Sequence, residues 1–177
     1  MESRNHIILF RGLVVTVEQM EVKFGEKGWH LYQIVRHPGA VGVLPLHDDG
    51  SVTLVRQLRP AVGGPLIELP AGRISPGEEA LACGRRELAE ETGLRADRLE
   101  SLGIFHASPG VFDETIHLFL AEGLQEEKAS PEAYEEIGTV RIPFARACRM
   151  ARHGEITDAK AIVALFRAGI VRQFPGA

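Results

Sequence analysis

The stretch Gly72-Arg73-Ile74-Ser75-Pro76-Gly77-Glu78-Glu79-Ala80-Leu81-Ala82-Cys83-Gly84-Arg85-Arg86-Glu87-Leu88-Ala89-Glu90-Glu91-Thr92-Gly93-Leu94 decides how the rest of this 177-residue chain is read. It reads as one helix held between two loops. Ser75, Pro76 and Glu78 fit the N-cap, first and third positions of a capping box, and Gly93 is placed to end the helix. Glu78 and Glu79 would then complement the positive N-terminal dipole. Toward the other end, with Glu87 at the origin, Glu90 falls at about −60° and Glu91 at about +40°, so three carboxylates share an arc of roughly 100°. Leu81 and Leu88 lie on the flank that should face a core. Like charges at these spacings repel, and the helix C-terminus disfavours anions. Two explanations stay open: the oxygens surround a hard divalent cation such as Mg²⁺ or Mn²⁺, or the face is solvated and Arg85 and Arg86 pair with it.

Upstream of this segment the chain reads as strands. Leu13–Val17, Glu21–Phe24 and Trp29–Val35 are rich in β-branched and aromatic residues, with a turn at Gly25–Gly28. Ala40–Leu46 and Ser51–Leu58 flank the hairpin signal His47-Asp48-Asp49-Gly50, and Leu66–Leu69 is a further short strand. Downstream, Leu99–His106 and Thr115–Ala121 flank the loop Ala107–Glu114. Gln125–Glu136 is acidic, contains Pro131 and reads as a surface loop, and Ile137–Ile142 returns to the sheet. Pro143–His153 and Asp158–Ala168 predict two closing helices, the second apolar at Ala161, Ile162, Leu165 and Phe166. Strands and helices mixed without βαβ alternation favour an α/β (α+β) sandwich on a mixed sheet over a doubly wound fold.

Composition removes several function classes. Hydrophobic residues make up 45% and charged residues 25%, which fits one folded domain with a small appendage. The net charge of −4 argues against broad binding to nucleic-acid phosphates. No apolar run reaches the roughly 18–20 residues of a membrane helix, so no membrane partner is expected. The N-terminus has no basic region leading into an apolar segment, so no secretory signal is expected. Cys83 and Cys148 are too few for a disulfide framework and read as reduced thiols of a cytoplasmic protein. The histidines form no metal-binding pair at helical spacing.

Gly72, five residues, Glu78, seven residues, then Arg86-Glu87-Leu88-Ala89-Glu90-Glu91-Thr92-Gly93-Leu94 matches the whole Nudix box, and the chain therefore resembles the Nudix hydrolases. The resemblance implies an α/β/α sandwich around a mixed sheet, and hydrolysis of a nucleoside diphosphate linked to another moiety. It implies Glu87 and Glu91 as principal metal ligands and Glu90 as a further ligand or base. Arg86 would orient that cluster, and the Ala71 carbonyl would be another ligand, for two to three Mg²⁺ or Mn²⁺ ions. Glu68-Leu69-Pro70-Ala71-Gly72, Gln57-Leu58-Arg59-Pro60-Ala61 and Pro109, sixteen residues after Gly93, resemble the ADP-ribose pyrophosphatase subgroup. GDP-mannose hydrolases carry similar loops.

This subgroup resemblance implies Arg56, Arg59, Glu68, Pro109 and Gly110 as substrate contacts and Glu114 as the general base. ADP-ribose would be split to AMP and ribose 5-phosphate. Alternatives are another nucleoside diphosphate sugar or dinucleotide, such as GDP-mannose or NADH, or a non-catalytic ligand-sensing module. Residues 1–38 resemble the antiparallel extension through which such enzymes form homodimers, and residues 39–177 the hydrolase domain. Trp29 and Tyr32 are open between stacking on a base and packing in the core or dimer.

Overall fold

Ala40–Pro45 (β4) is buried at all six positions, as a strand covered on both faces must be. Its side chains alternate between two cores. Val41 and Val43 pack with Cys83, Leu88 and Phe119; Ala40 and Leu44 pack with Leu118, Ile156 and Leu165. The structure is a computed structural model and describes residues 1–129 and 137–172.

Around β4 stands a mixed sheet. It pairs parallel with β9 (Thr115–Glu126) and antiparallel with β7 (Ala71–Arg73). The strand β8 (Leu94–His106) pairs antiparallel with β9, giving the order β7-β4-β9-β8. One face is covered by α1 (Ala80–Thr92) and the other by α3 (Ala159–Arg172). A second, antiparallel sheet, β10-β5-β6, is formed by β5 (Ser51–Arg59), β6 (Gly64–Glu68) and β10 (Ile137–Pro143), with α2 (Phe144–Arg152) beside it. The sandwich expected from the sequence is therefore present.

The N-terminal residues form a separate antiparallel sheet, β1 (Ser3–Arg11), β2 (Thr16–Lys23) and β3 (Trp29–Arg36). Its first strand was not among those read from the sequence: Ile7-Ile8-Leu9-Phe10 favours a strand, but Ser3-Arg4-Asn5-His6 before it has little strand propensity. Cross-strand pairs hold it instead: Arg4 with Glu21, His6 with Glu18, and Lys23 with Glu2. Leu13–Val15, read as strand, instead belongs to the turn between β1 and β2, where the Gly12 N–H donates to the Val15 carbonyl at 2.8 Å. Trp29 lies under the Arg4 guanidinium, 4.2 Å from its ring centre.

Other differences have equally local causes. The turn after β4 makes no hairpin between β4 and β5: a single bridge just past β4, Leu46–Val52, joins them, and β5 pairs with β6 and β10. The strand β8 begins at Leu94, with Leu94 and Ala96 buried between charged neighbours that hide the alternation. The strand β9 continues to Glu126, into the segment read as a loop; of that acidic stretch, residues 130–136, including Pro131, lie outside the described residues. On α3, Ile162 and Phe166 are exposed, and the small residues Ala161, Ala164 and Ala168 face the sheet with Leu165.

Candidate active site

Ser75-Pro76-Gly77-Glu78 is a turn, not the first turn of a helix. The Glu78 N–H donates to the Ser75 carbonyl at 2.9 Å, and Gly77 has φ +79°, a left-handed value that a helix cannot continue through. Proline second and glycine third is the chemistry of a type II turn. The helix therefore starts at Ala80, later than the capping box implied, and Leu81 is left exposed in its first turn. Half of the box survives, since the Ser75 N–H donates to Glu78 Oε2 at 2.9 Å. Gly93 ends α1 as expected, its N–H on the Ala89 carbonyl.

Freed from capping, Glu78 serves Arg86. The Arg86 guanidinium donates to both oxygens of Glu78 (3.0 and 3.1 Å), to Glu87 Oε1 at 2.6 Å and to Glu90 Oε2 at 3.0 Å. Glu78 holds its carboxyl down to about 2 through these bonds and the Ser75 N–H, and the same carboxylates raise Arg86 above the ordinary arginine range. Glu87 and Glu91 are buried, while Glu90 is half-exposed. Glu91 Oε2 accepts from the Ala71 N–H at 3.0 Å. Gly72 allows this packing: a Cβ there would stand 1.9 Å from Glu87 Oε1. The short strand β7, unread in the sequence, thus forms the floor against which two of the three glutamates rest.

A second charge cluster faces the first. Arg59 donates to Glu68 through Nε at 2.7 Å and Nη2 at 3.1 Å, and Lys160 Nζ reaches Glu68 Oε2 at 3.0 Å and Asp158 Oδ1 at 2.6 Å. Burial would raise the Glu68 carboxyl, but its bonds to Arg59 and Lys160 hold it below the usual carboxylate range. Burial would likewise lower Lys160, and Asp158 and Glu68 outweigh it, so the amine is held above its ordinary value. Glu68 raises Arg59, with a further contribution from Glu91, and Arg59 lines the same cleft as the glutamates of α1. Glu68 is itself only 1% exposed, so it supports Arg59 from beneath and does not present itself to a ligand. Arg56, three residues from Arg59 on β5, projects from the opposite face of that strand and stands outside the cleft.

The loop Ala107–Glu114 is fastened to the N-terminal sheet. The Val35 N–H donates to the Val111 carbonyl at 2.7 Å, and the Asp113 N–H to the Val35 carbonyl at 3.1 Å. Asp113 accepts from Arg36 Nη1 at 3.0 Å and from the His37 N–H at 2.8 Å. The Tyr32 hydroxyl donates to the Gly110 carbonyl at 2.6 Å, so Tyr32 is a loop anchor. Pro109 and Gly110 stand exposed, away from the cleft. Glu114 points the other way, into it, with Oε1 3.5 Å from His37 Nδ1.

These elements enclose a cleft of about 590 Å³. Of the expected site residues it brings together Arg59, Ala71, Arg86, Glu87, Glu90, Glu91 and Glu114. It adds His37 and Lys160, which the sequence reading missed. The signal for Lys160 was available: with Ala164 and Ala168 it occupies i, i+4 and i+8, a charge on the buried face of an apolar helix. Among the described residues no three His, Cys, Asp or Glu side chains converge as a ready metal shell. The donor set nevertheless fits a hard dication: all are carboxylate oxygens, and Glu78, Glu87 and Glu90 share a single guanidinium, which leaves the cluster anionic.

The chain is similar to known proteins of one family. The NUDIX domain family model matches residues 36–165. The ADP-ribose pyrophosphatase of Bacillus subtilis is 37% identical over 161 residues, covering 89% of this chain and 86% of that protein. The GDP-mannose pyrophosphatase of Salmonella arizonae is 37% identical over 139 residues, covering 73% and 72%. A crystal structure of an ADP compounds hydrolase superposes with a TM-score of 0.84 over 99% of this chain and 95% of that one, at 23% identity, which speaks for the fold alone. With three of its box glutamates on one helix beside a charged cleft, the chain belongs to the NUDIX family and is a Nudix hydrolase.

Proposed function

We propose that this hydrolase splits the diphosphate of ADP-ribose to AMP and ribose 5-phosphate with the help of Mg²⁺ or Mn²⁺. The observation that carries the reading is the cleft lined together by Arg59, Glu87, Glu90 and Glu91, joined to the likeness to the Bacillus subtilis enzyme. Glu87, Glu90 and Glu91, with the Ala71 backbone, would hold the ions. Bound dications would neutralise phosphate oxygens and make water more acidic. Arg59 adds a fixed cation for the diphosphate. Arg86 keeps the glutamate carboxylates aimed at one region. Glu114 lines the cleft from a loop fastened elsewhere and would take a proton from water.

In the dimer we infer, the N-terminal sheet supplies the contact. All nine residues of β1 are exposed, so neither face of this strand is covered within one chain. The free thiols Cys83 and Cys148 suit a reducing cytoplasm, and among the described residues no helix is long and apolar enough to cross a membrane.

Product release from ADP-ribose, GDP-mannose and NADH, each with and without Mg²⁺, tests the assignment. The expected result is the highest kcat/KM for ADP-ribose. A preference for GDP-mannose would move the substrate to the second relative's class, and no hydrolysis of any would overturn the enzymatic reading.

A further inference from the structure

His37 lines the cleft and takes no part in the reaction described above. It sits where the chain leaves β3 for β4, and its side chain is only 7% exposed. Three contacts fix it. Its Nδ1 accepts the Gly39 N–H at 3.1 Å, a bond that Gly39 reaches by turning back at φ +92°. The ring packs edge-on against Phe112, with centres 5.4 Å apart, and the His37 N–H donates to Asp113 at 2.8 Å. Phe112 and Asp113 belong to the loop that carries Glu114, so the ring and that glutamate are held by the same few residues.

The hydrogen bonds decide where the ring keeps its proton. Because Gly39 donates to Nδ1, the neutral ring carries its hydrogen on Nε2 and a lone pair on Nδ1. Glu114 Oε1 stands 3.5 Å from that same Nδ1. An ionised carboxylate and a lone-pair nitrogen are both acceptors, so no hydrogen bond joins them until a proton arrives. Once Glu114 has taken a proton from water it becomes a donor, with Nδ1 a small movement away. Among the described residues no lysine or arginine pairs with Glu114, so His37 is the nitrogen base beside it. At the other side of the ring, Nε2 makes no hydrogen bond among the described residues, yet it is not fully buried.

We propose that His37 is a positioning residue for Glu114, the group that takes on the proton which Glu114 removes from water. The steps balance. A water O–H breaks as the Glu114 O–H forms, that O–H breaks as an Nδ1–H forms, and the imidazolium gives the proton on Nε2 to solvent. Glu114 is again a carboxylate and the ring is neutral. Nδ1 exchanges its bond from Gly39 for one with Glu114, and takes it back when the ring returns to its resting tautomer. This rests on the reading of Glu114 as the base of a diphosphate hydrolase.

The test is steady-state hydrolysis of ADP-ribose with Mg²⁺ by the full chain, His37→Asn, Glu114→Gln and the double variant, with thermal unfolding of each. Asparagine keeps an acceptor for the Gly39 N–H, as in an Asx turn, but cannot take on a proton. His37→Asn should lower kcat about tenfold or more, with KM within about twofold of wild type. The double variant should be no slower than Glu114→Gln, because a residue that acts through Glu114 has nothing to act on once that carboxyl is gone. An unchanged kcat in His37→Asn, or a double-variant loss equal to the product of the two single losses, would make His37 a structural residue and overturn the proposal. Should the asparagine variant not fold, His37→Gln, nearer the ring in length, enters the same cycle. A wild-type protein that hydrolyses neither ADP-ribose nor GDP-mannose would instead overturn the hydrolase reading, and full turnover in Glu114→Gln would overturn the choice of base. Loss in Glu114→Gln with none in His37→Asn would overturn the role of His37 alone.

Discussion

At the scale of single residues, Gly72 and Glu78 do more than their place in a motif suggests. A methyl group at Gly72 meets the carboxyl end of Glu87, which is flexible enough to swing aside but is where a metal would be held. Gly72→Ala should therefore cost no more than about 2 kcal/mol of stability by denaturant unfolding, while turnover falls by about 10- to 100-fold, as when support of a metal ligand is lost. Glu78, read from the sequence as a helix cap, is a clamp on Arg86. Folding lowers its carboxyl from 4.5 to about 2, so the clamp stabilises the fold above the unfolded value and is lost as the pH falls through that range. Solvent reaches this pair, so its worth is about 1 kcal/mol. Glu78→Gln should lower the melting temperature by about 2–4 °C at pH 7, and the difference from wild type should shrink steadily below pH 4.5.

Among the elements, the loop Ala107–Glu114 and β3 behave as one unit. Asp113 ties them by accepting from Arg36 and from the His37 backbone, and Glu114 is the next residue. Removing this tie in Asp113→Ala should cost about 1 kcal/mol, speed hydrogen exchange at the Val35 and Asp113 amides, and lower kcat more than it raises KM. A variant with faster exchange and unchanged kcat would separate the loop from the chemistry. The sequence made the glutamate face of α1 legible because helical periodicity needs only local spacing. It made β4, β5, β9 and β10 legible for the same kind of reason. It left β1 and β7 hidden, since one is held by cross-strand ion pairs and the other is three residues paired only with β4. Glu68 read as a ligand contact because its burial depends on α3, some ninety residues away, supplying Lys160. Arg56 and Arg59 looked equivalent until the strand's alternation put them on opposite faces.

For the whole molecule, the arrangement is a metal-suited anionic helix and a cation pair brought to one cleft by three separate parts of the chain. The net charge of −4 says nothing against a nucleotide substrate, because the sign is set locally. The uncovered first strand of the N-terminal sheet, with Ile7, Ile8, Leu9 and Phe10 all exposed, should place the protein as a dimer in sedimentation at micromolar concentration, and Phe10→Asp should shift it toward monomer. The central claim is that the α1 carboxylates hold cations that act on a diphosphate. Its most direct test is AMP release from ADP-ribose by metal-stripped protein titrated with Mg²⁺, alongside Glu91→Gln. The account expects no turnover without metal, saturable recovery on Mg²⁺ addition, and a loss of at least about 100-fold in Glu91→Gln. Full turnover in the stripped protein, or wild-type rates in Glu91→Gln, would contradict it.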